Sequence, residues 1–164
     1  MRLLAIDPGN EYSGVVVMDS ATYRPLDCEK IRNDNLENYL SLSTNFDEAV
    51  IEMVASYGMP VGVTVFETCV AIGRFERVLD DRWIRHGRLF RREVKLNICG
   101  VASAKDGNII QALADRFAPG APNRGKGTKG TPGWFYGFKS DIWQAYALGV
   151  TWIDRCRRDK EEHT

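Results

Sequence analysis

Three carboxylates stand at the ends of segments that otherwise read as buried. Asp7 follows the apolar run LLAI and precedes Pro8-Gly9, Glu67 closes the β-branched run VGVTVF, and Asp141 opens an apolar helical segment. Carboxylates gathered without basic partners repel one another and resist burial, so such a group is costly unless a cation occupies it. Hard oxygen donors suit Mg2+ or Mn2+. Two such ions, about 3.5–4 Å apart, can activate a water and stabilise a leaving oxygen in phosphodiester cleavage. The chemistry these residues point to is metal-dependent hydrolysis of a nucleic-acid backbone. Each acid also has a plainer use: Asp before Pro-Gly forms turns, and an acid in the first turn of a helix favours its dipole. Glu67 has neither use.

The elements that must position them follow from the spacing of apolar and turn residues. Residues 3–6 and 14–18 read as strands joined by Pro8-Gly9-Asn10, and residues 26–31 as a third strand. Apolar residues between Leu36 and Val54 recur at three- and four-residue steps, which predicts a helix over 36–57, broken near Ser43-Thr44-Asn45. Gly58-Met59-Pro60 ends it, and residues 61–67 predict a strand buried on both faces. Residues 72–90 read as helix, 93–99 as strand and 106–117 as helix. The stretch 118–133, APGAPNRGKGTKGTPG, is too rich in Gly and Pro for regular structure, and 140–156 is a last helix. The expected fold is α/β, a mixed sheet in the order β-β-β-α-β-α-β-α-α with helices on both faces. One domain spans 1–156 and a charged tail 157–164. Ligands of such sheets bind at the carboxyl ends of the strands, so Asp7 and Glu67 are expected on one edge, with Asp141 closing from a helix packed across it.

Net charge hides an asymmetry. The chain of 164 residues has 22 basic and 22 acidic side chains, yet the first 73 residues hold four basic against eleven acidic and residues 74–130 hold thirteen against six. Arg74, Arg77, Arg85 and Arg88 lie in the basic middle, and Arg124, Lys126 and Lys129 in the Gly-rich stretch. Side chains of this kind neutralise phosphates. Trp134 and Tyr136 follow and could stack exposed bases or pack beneath the loop as core. The four cysteines are scattered without zinc spacing, and read as reduced thiols. No run approaches the roughly 18 apolar residues of a membrane span and no leader precedes the first strand, so a cytoplasmic protein without membrane contact is expected.

The segments LLAIDPGNEYSGVVVMD, VTVFE, VKLNICGVASAKDGNIIQAL and KGTKGTPGWFYGFKSDIWQAYALGVTW resemble, in order, the motifs of the RuvC-type Holliday junction resolvases of the ribonuclease H-like superfamily. The likeness is greatest to the variants carried by bacteriophages and prophages. The resemblance implies a homodimeric, Mg2+- or Mn2+-dependent endonuclease, with one or two ions per site, that nicks four-way junctions or other branched DNA such as forks and flaps. It puts Asp7, Glu67 and Asp141 at ligand positions, and Lys95 and Lys105 near the scissile phosphate. The family usually ends in two ligands three residues apart, the second an Asp; here that position is Gln144, whose amide brings no charge. The same fold without turnover, a branched-DNA-binding module, is the alternative. An actin-like phosphotransferase shares the opening hairpin but needs a second domain and phosphate motif, for which this chain has no room.

Overall fold

The computed structural model describes residues 1–163. Strand β1 (Arg2–Asp7) pairs antiparallel with β2 (Tyr12–Asp19), and β2 with β3 (Pro25–Arg32). On its other side β1 runs parallel to β4 (Glu48–Met53), which runs parallel to β5 (Arg85–Phe90), giving the sheet order β3-β2-β1-β4-β5. Helices α1 (Asn33–Leu42) and α2 (Val63–Asp81) cover one face; α3 (Arg91–Cys99), α4 (Asp106–Phe117) and α5 (Ser140–Glu162) cover the other.

The run LLAI is apolar throughout because β1 is central and covered on both sides. Leu4 and Ile6 pack toward α1 and α2, Leu3 and Ala5 toward α5. The same alternation, continued by one residue, puts Asp7 on the α5 face. In β4, Val50 belongs to the α5 face and Ile51 to the other, so Glu52 also falls on the α5 face.

The opening meander, the helix at 106–117 and the last helix form as expected. Four central assignments do not. The helix expected over 36–57 stops at Leu42, and the segment EAVIEM is strand β4. Six residues with adjacent β-branched apolar side chains satisfy helical and strand spacing alike, and the free edge of β1 decides between them. Residues 61–67 are not a strand. Val63 begins α2, whose β-branched start shows Val63, Phe66 and Val70 to solvent. α2 ends at Asp81, and the fifth strand is residues 85–90, read from sequence as the end of a helix. The alternating REVKLNIC is helical, entered through Glu93, whose carboxylate accepts from the Phe90 N–H. The Gly-rich stretch holds only a short turn at Pro122–Gly125 and one bridge, Gly127 to Pro132. The charged tail continues α5 as far as Glu162. Among the described residues no helix is long and apolar enough to cross a membrane.

Candidate active site

Asp7 is the last residue of β1, directly across from Gly14 on β2. The β1–β4 register runs to Ile6 beside Ile51, so Asp7 and Glu52 are the next residues of two parallel neighbours. Asp141 reaches the same edge from the first turn of α5. Gly14 permits this approach: a Cβ there would lie 2.7 Å from the Asp141 carbonyl oxygen. Farther along, Gly149 gives α5 close passage over Ala5 and Met18. The loop after Asp7 is held by Asn33, whose side-chain amide donates to the carbonyls of Gly9 (2.9 Å) and Asn10 (3.1 Å) while its oxygen accepts from Ser13 (2.7 Å).

Two basic side chains are threaded among these acids. Arg91, at the start of α3, donates to Glu52 Oε2 at 3.3 Å and to Asp106 Oδ1, at the start of α4, at 2.6 Å. Lys30, on β3, contacts Asp141 Oδ2 at 2.5 Å. Burial, and then the charge of Glu52, push the Asp7 carboxyl up to about 8; Asp141 and Asp106 act in the same direction and Arg91 against it. Burial likewise lifts Glu52 above the usual carboxylate range, with Arg91 pulling it down. The Asp141 hydrogen bond and charge raise the Lys30 ammonium. Among the described residues no three acidic, His or Cys side chains already converge as a metal-holding group. Arg91 and Lys30 hold two of the three strand-end and helix-end carboxylates.

Gln144 lies one helical turn after Asp141. It is only 7% exposed, and its buried amide oxygen has no hydrogen-bond partner. Its height over the sheet follows from α5. A Cβ on Gly149 would meet Ala5 of β1, which pairs with Val50 of β4, and α5 runs from there back toward Asp141 at the carboxyl ends of the strands. At about 1.5 Å per residue along the helix and about 3.3 Å along a strand, the five residues from Gly149 back to Gln144 span about two strand residues, which puts Gln144 at the level of Glu52.

A cleft of about 380 Å³ runs past Asp7, Asn10, Tyr12, Lys30 and Asp141. A second, of about 410 Å³, shares Lys30 and Asp141 and continues past Lys139 and Ser140, so the two form one trough with carboxylates in its floor and lysines on its wall.

Of the residues singled out in the sequence, Asp7, Asp141 and Gln144 are brought to one edge and Glu67 is not. Glu67 is exposed on α2, where its carboxylate accepts from the Asn10 side chain at 3.4 Å. Glu52 holds the strand-end place, and the signal was present in VIEM, an apolar strand closing on an acid. Arg91, Asp106 and Lys30 were also missed, since single charges beside turns look like ordinary solvated residues.

The basic residues divide. Arg74 pairs with Glu37 and Asp34, Arg77 with Asp81, and Arg88 with Glu76. Arg85 pairs with Glu48 at the opposite end of the sheet from Asp7. Lys95 on α3 is close enough to act on the Glu52 charge, and Lys105 precedes α4 beside Asp106. Arg124, Lys126 and Lys129 form no ion pair among the described residues. Trp134 is partly buried and packs on the core: it stacks on Phe117 (centroids 5.6 Å apart) and donates to the Tyr146 hydroxyl at 3.0 Å. Tyr136 is 45% exposed.

The sequence matches no protein-family profile and no curated protein. Among solved structures, the chain is similar to Thermus thermophilus RuvC, at 16% identity and a TM-score of 0.69, covering 97% of each chain. It is also similar to T. thermophilus RuvC in complex with Holliday junction substrate, at 14% identity and a TM-score of 0.70, covering 97% of this chain and 96% of that one. At such identities the likeness is one of fold, and it extends over nearly the whole of both chains.

Proposed function

We propose that this chain, built on the fold of RuvC, is a divalent-metal-dependent endonuclease that nicks four-way junctions or other branched DNA. The observation that carries the reading is the single sheet edge that carries Asp7, Glu52 and Asp141. Two adjoining strand ends and one glycine-admitted helix start bury Asp7 and crowd negative charge around it, so that its ionisation is suppressed near neutral pH. The donor set suits a hard cation: three carboxylates and the unpartnered Gln144 amide oxygen. Asp7, Glu52 and Asp141 would hold Mg2+ or Mn2+, with Gln144 behind them, and the ion would supply charge stabilisation and an activated water.

The chain's own residues account for the rest. Asp7 and Glu52 ride on central strands, so their positions are fixed by the sheet. Lys30 is well exposed, and its pair with Asp141 is cheap to open. Once released, Lys30 is placed to meet a phosphate at the trough wall, with Lys139 farther along, Lys95 within reach of the Glu52 charge and Lys105 at the start of α4. Arg124, Lys126 and Lys129 supply further phosphate contacts from the Gly-rich loop. Cutting two strands of a junction calls for two such sites, and we assign the exposed Val63–Phe66–Val70 stripe of α2 to a second copy of the chain.

A synthetic four-way junction incubated with the protein and Mn2+ tests this directly. Nicks near the crossover, with a linear duplex of the same sequence spared and no product without metal, are expected. Tight junction binding without any nicking under Mg2+ or Mn2+ would instead identify a branched-DNA-binding module.

A further inference from the structure

We propose that Arg91 is a resident cation of this carboxylate site, taking the place of a second metal ion, so that the centre binds one divalent ion per chain. The inference rests on the nuclease reading above and deepens it.

Three features carry it. First, Arg91 is built into the site. Its side chain is 22% exposed, it leaves β5 directly into α3, and it is clamped between Glu52 at 3.3 Å and Asp106 at 2.6 Å. A guanidinium is charged at every accessible pH, so the site always contains this positive charge. Second, Arg91 takes only one oxygen of Glu52, Oε2, and leaves Oε1 free to face a ligand. Third, Gln144 offers a neutral buried oxygen, with no partner, at the level of Glu52. A carboxylate there would bring the further negative charge that a second divalent ion requires.

The charges decide between one ion and two. Asp7, Glu52, Asp141 and Asp106 carry four negative charges, which one divalent ion, Arg91 and the Lys30 paired with Asp141 balance. Two divalent ions beside Arg91 would leave positive charge unneutralised in a partly buried site, at a cost set by the low local dielectric. Lys30 is no substitute in this role: it sits on the exposed side of Asp141 and can swing into solvent. If Arg91 were merely a clip joining α3 to α4, removing it would loosen the fold without altering the number of ions held.

Calorimetric titration with Mn2+, with electron paramagnetic resonance of the loaded protein, separates these cases. The wild-type chain is expected to bind one Mn2+ with an uncoupled spectrum. Arg91→Gln combined with Gln144→Asp is expected to bind two, with the spin coupling of neighbouring ions. Gln144→Asp alone, keeping Arg91, is expected to remain at one, and this arm decides the matter even if the Arg91 variant fails to fold. Two Mn2+ in the wild-type chain or in Gln144→Asp overturns the inference while leaving the nuclease reading standing, as does a folded double variant that still binds one. No Mn2+ bound by the wild-type chain overturns both.

Discussion

At Asp7, burial and three neighbouring carboxylates hold a proton that an ordinary aspartate would release near pH 3.8. Its folded-state value of about 8 lies above that of the unfolded chain, so across the interval between them the folded state binds the proton more tightly. The contribution is fully present below about pH 4 and is lost as pH rises toward about 8. The metal-free protein should therefore lose melting temperature over that window, and Asp7→Asn should flatten the loss; parallel curves for the two proteins would contradict the assigned crowding. Metal binding must displace the same proton, so Mn2+ uptake at neutral pH should release protons, read as a buffer-dependent heat. At this scale the sequence was legible for Asp7 and Asp141, which stand beside turns and helix starts that local patterns mark. Glu52 and Arg91 were hidden because their importance comes from neighbours distant in the chain.

Among the elements, the hairpin β1–β2 and helix α5 do most to assemble the site. They touch where Gly14 faces the backbone of Asp141. Gly14→Ala forces a methyl against the Asp141 backbone and should cost about 1–3 kcal/mol, as overpacking in a tight contact does. The same methyl pushes Asp141 away from Asp7, so junction nicking should fall further than stability alone explains; thermal melts and nicking assays at a temperature where the variant stays folded measure both. The meander and α5 were readable from sequence because turn residues bound each apolar run. The middle was not. EAVIEM fits two periods equally, and VTVF has strand propensity yet begins a helix, since the fourth and fifth places of the sheet are filled by residues 48–53 and 85–90. Only the pairing partners of β1 and β4 resolve that exchange, and those are long-range facts.

For the whole molecule, the neutral net charge conceals a trough with an acidic floor and lysine walls, and a separate basic loop. The arginines of α2 and β5 that made the middle third look DNA-binding are largely consumed by Glu37, Glu48, Glu76 and Asp81. The loop residues Arg124, Lys126 and Lys129 are not. Replacing these three by Ser should lower the slope of log affinity against log salt for junction DNA by about 2–3, if each contacts one phosphate; an unchanged slope would remove the loop from the interface. The stripe Val63–Phe66–Val70 predicts that Phe66→Glu sediments as a monomer where the unaltered chain is a dimer. The charge asymmetry of the chain was visible in its sequence, but which arginines are free was not, since ion pairing depends on the packing of α1, α2 and β5.

The central claim is that Asp7 works with Glu52, at the end of the neighbouring parallel strand, and not with Glu67 on α2. Single-turnover nicking of a four-way junction in Mn2+ by Glu52→Gln and Glu67→Gln tests it most directly. The account predicts loss of about a thousandfold or more for Glu52→Gln, the scale of several kcal/mol of charge stabilisation at the reacting phosphate, and near-wild-type nicking for Glu67→Gln. Full activity in Glu52→Gln, or a collapse in Glu67→Gln with its fold intact, would contradict it.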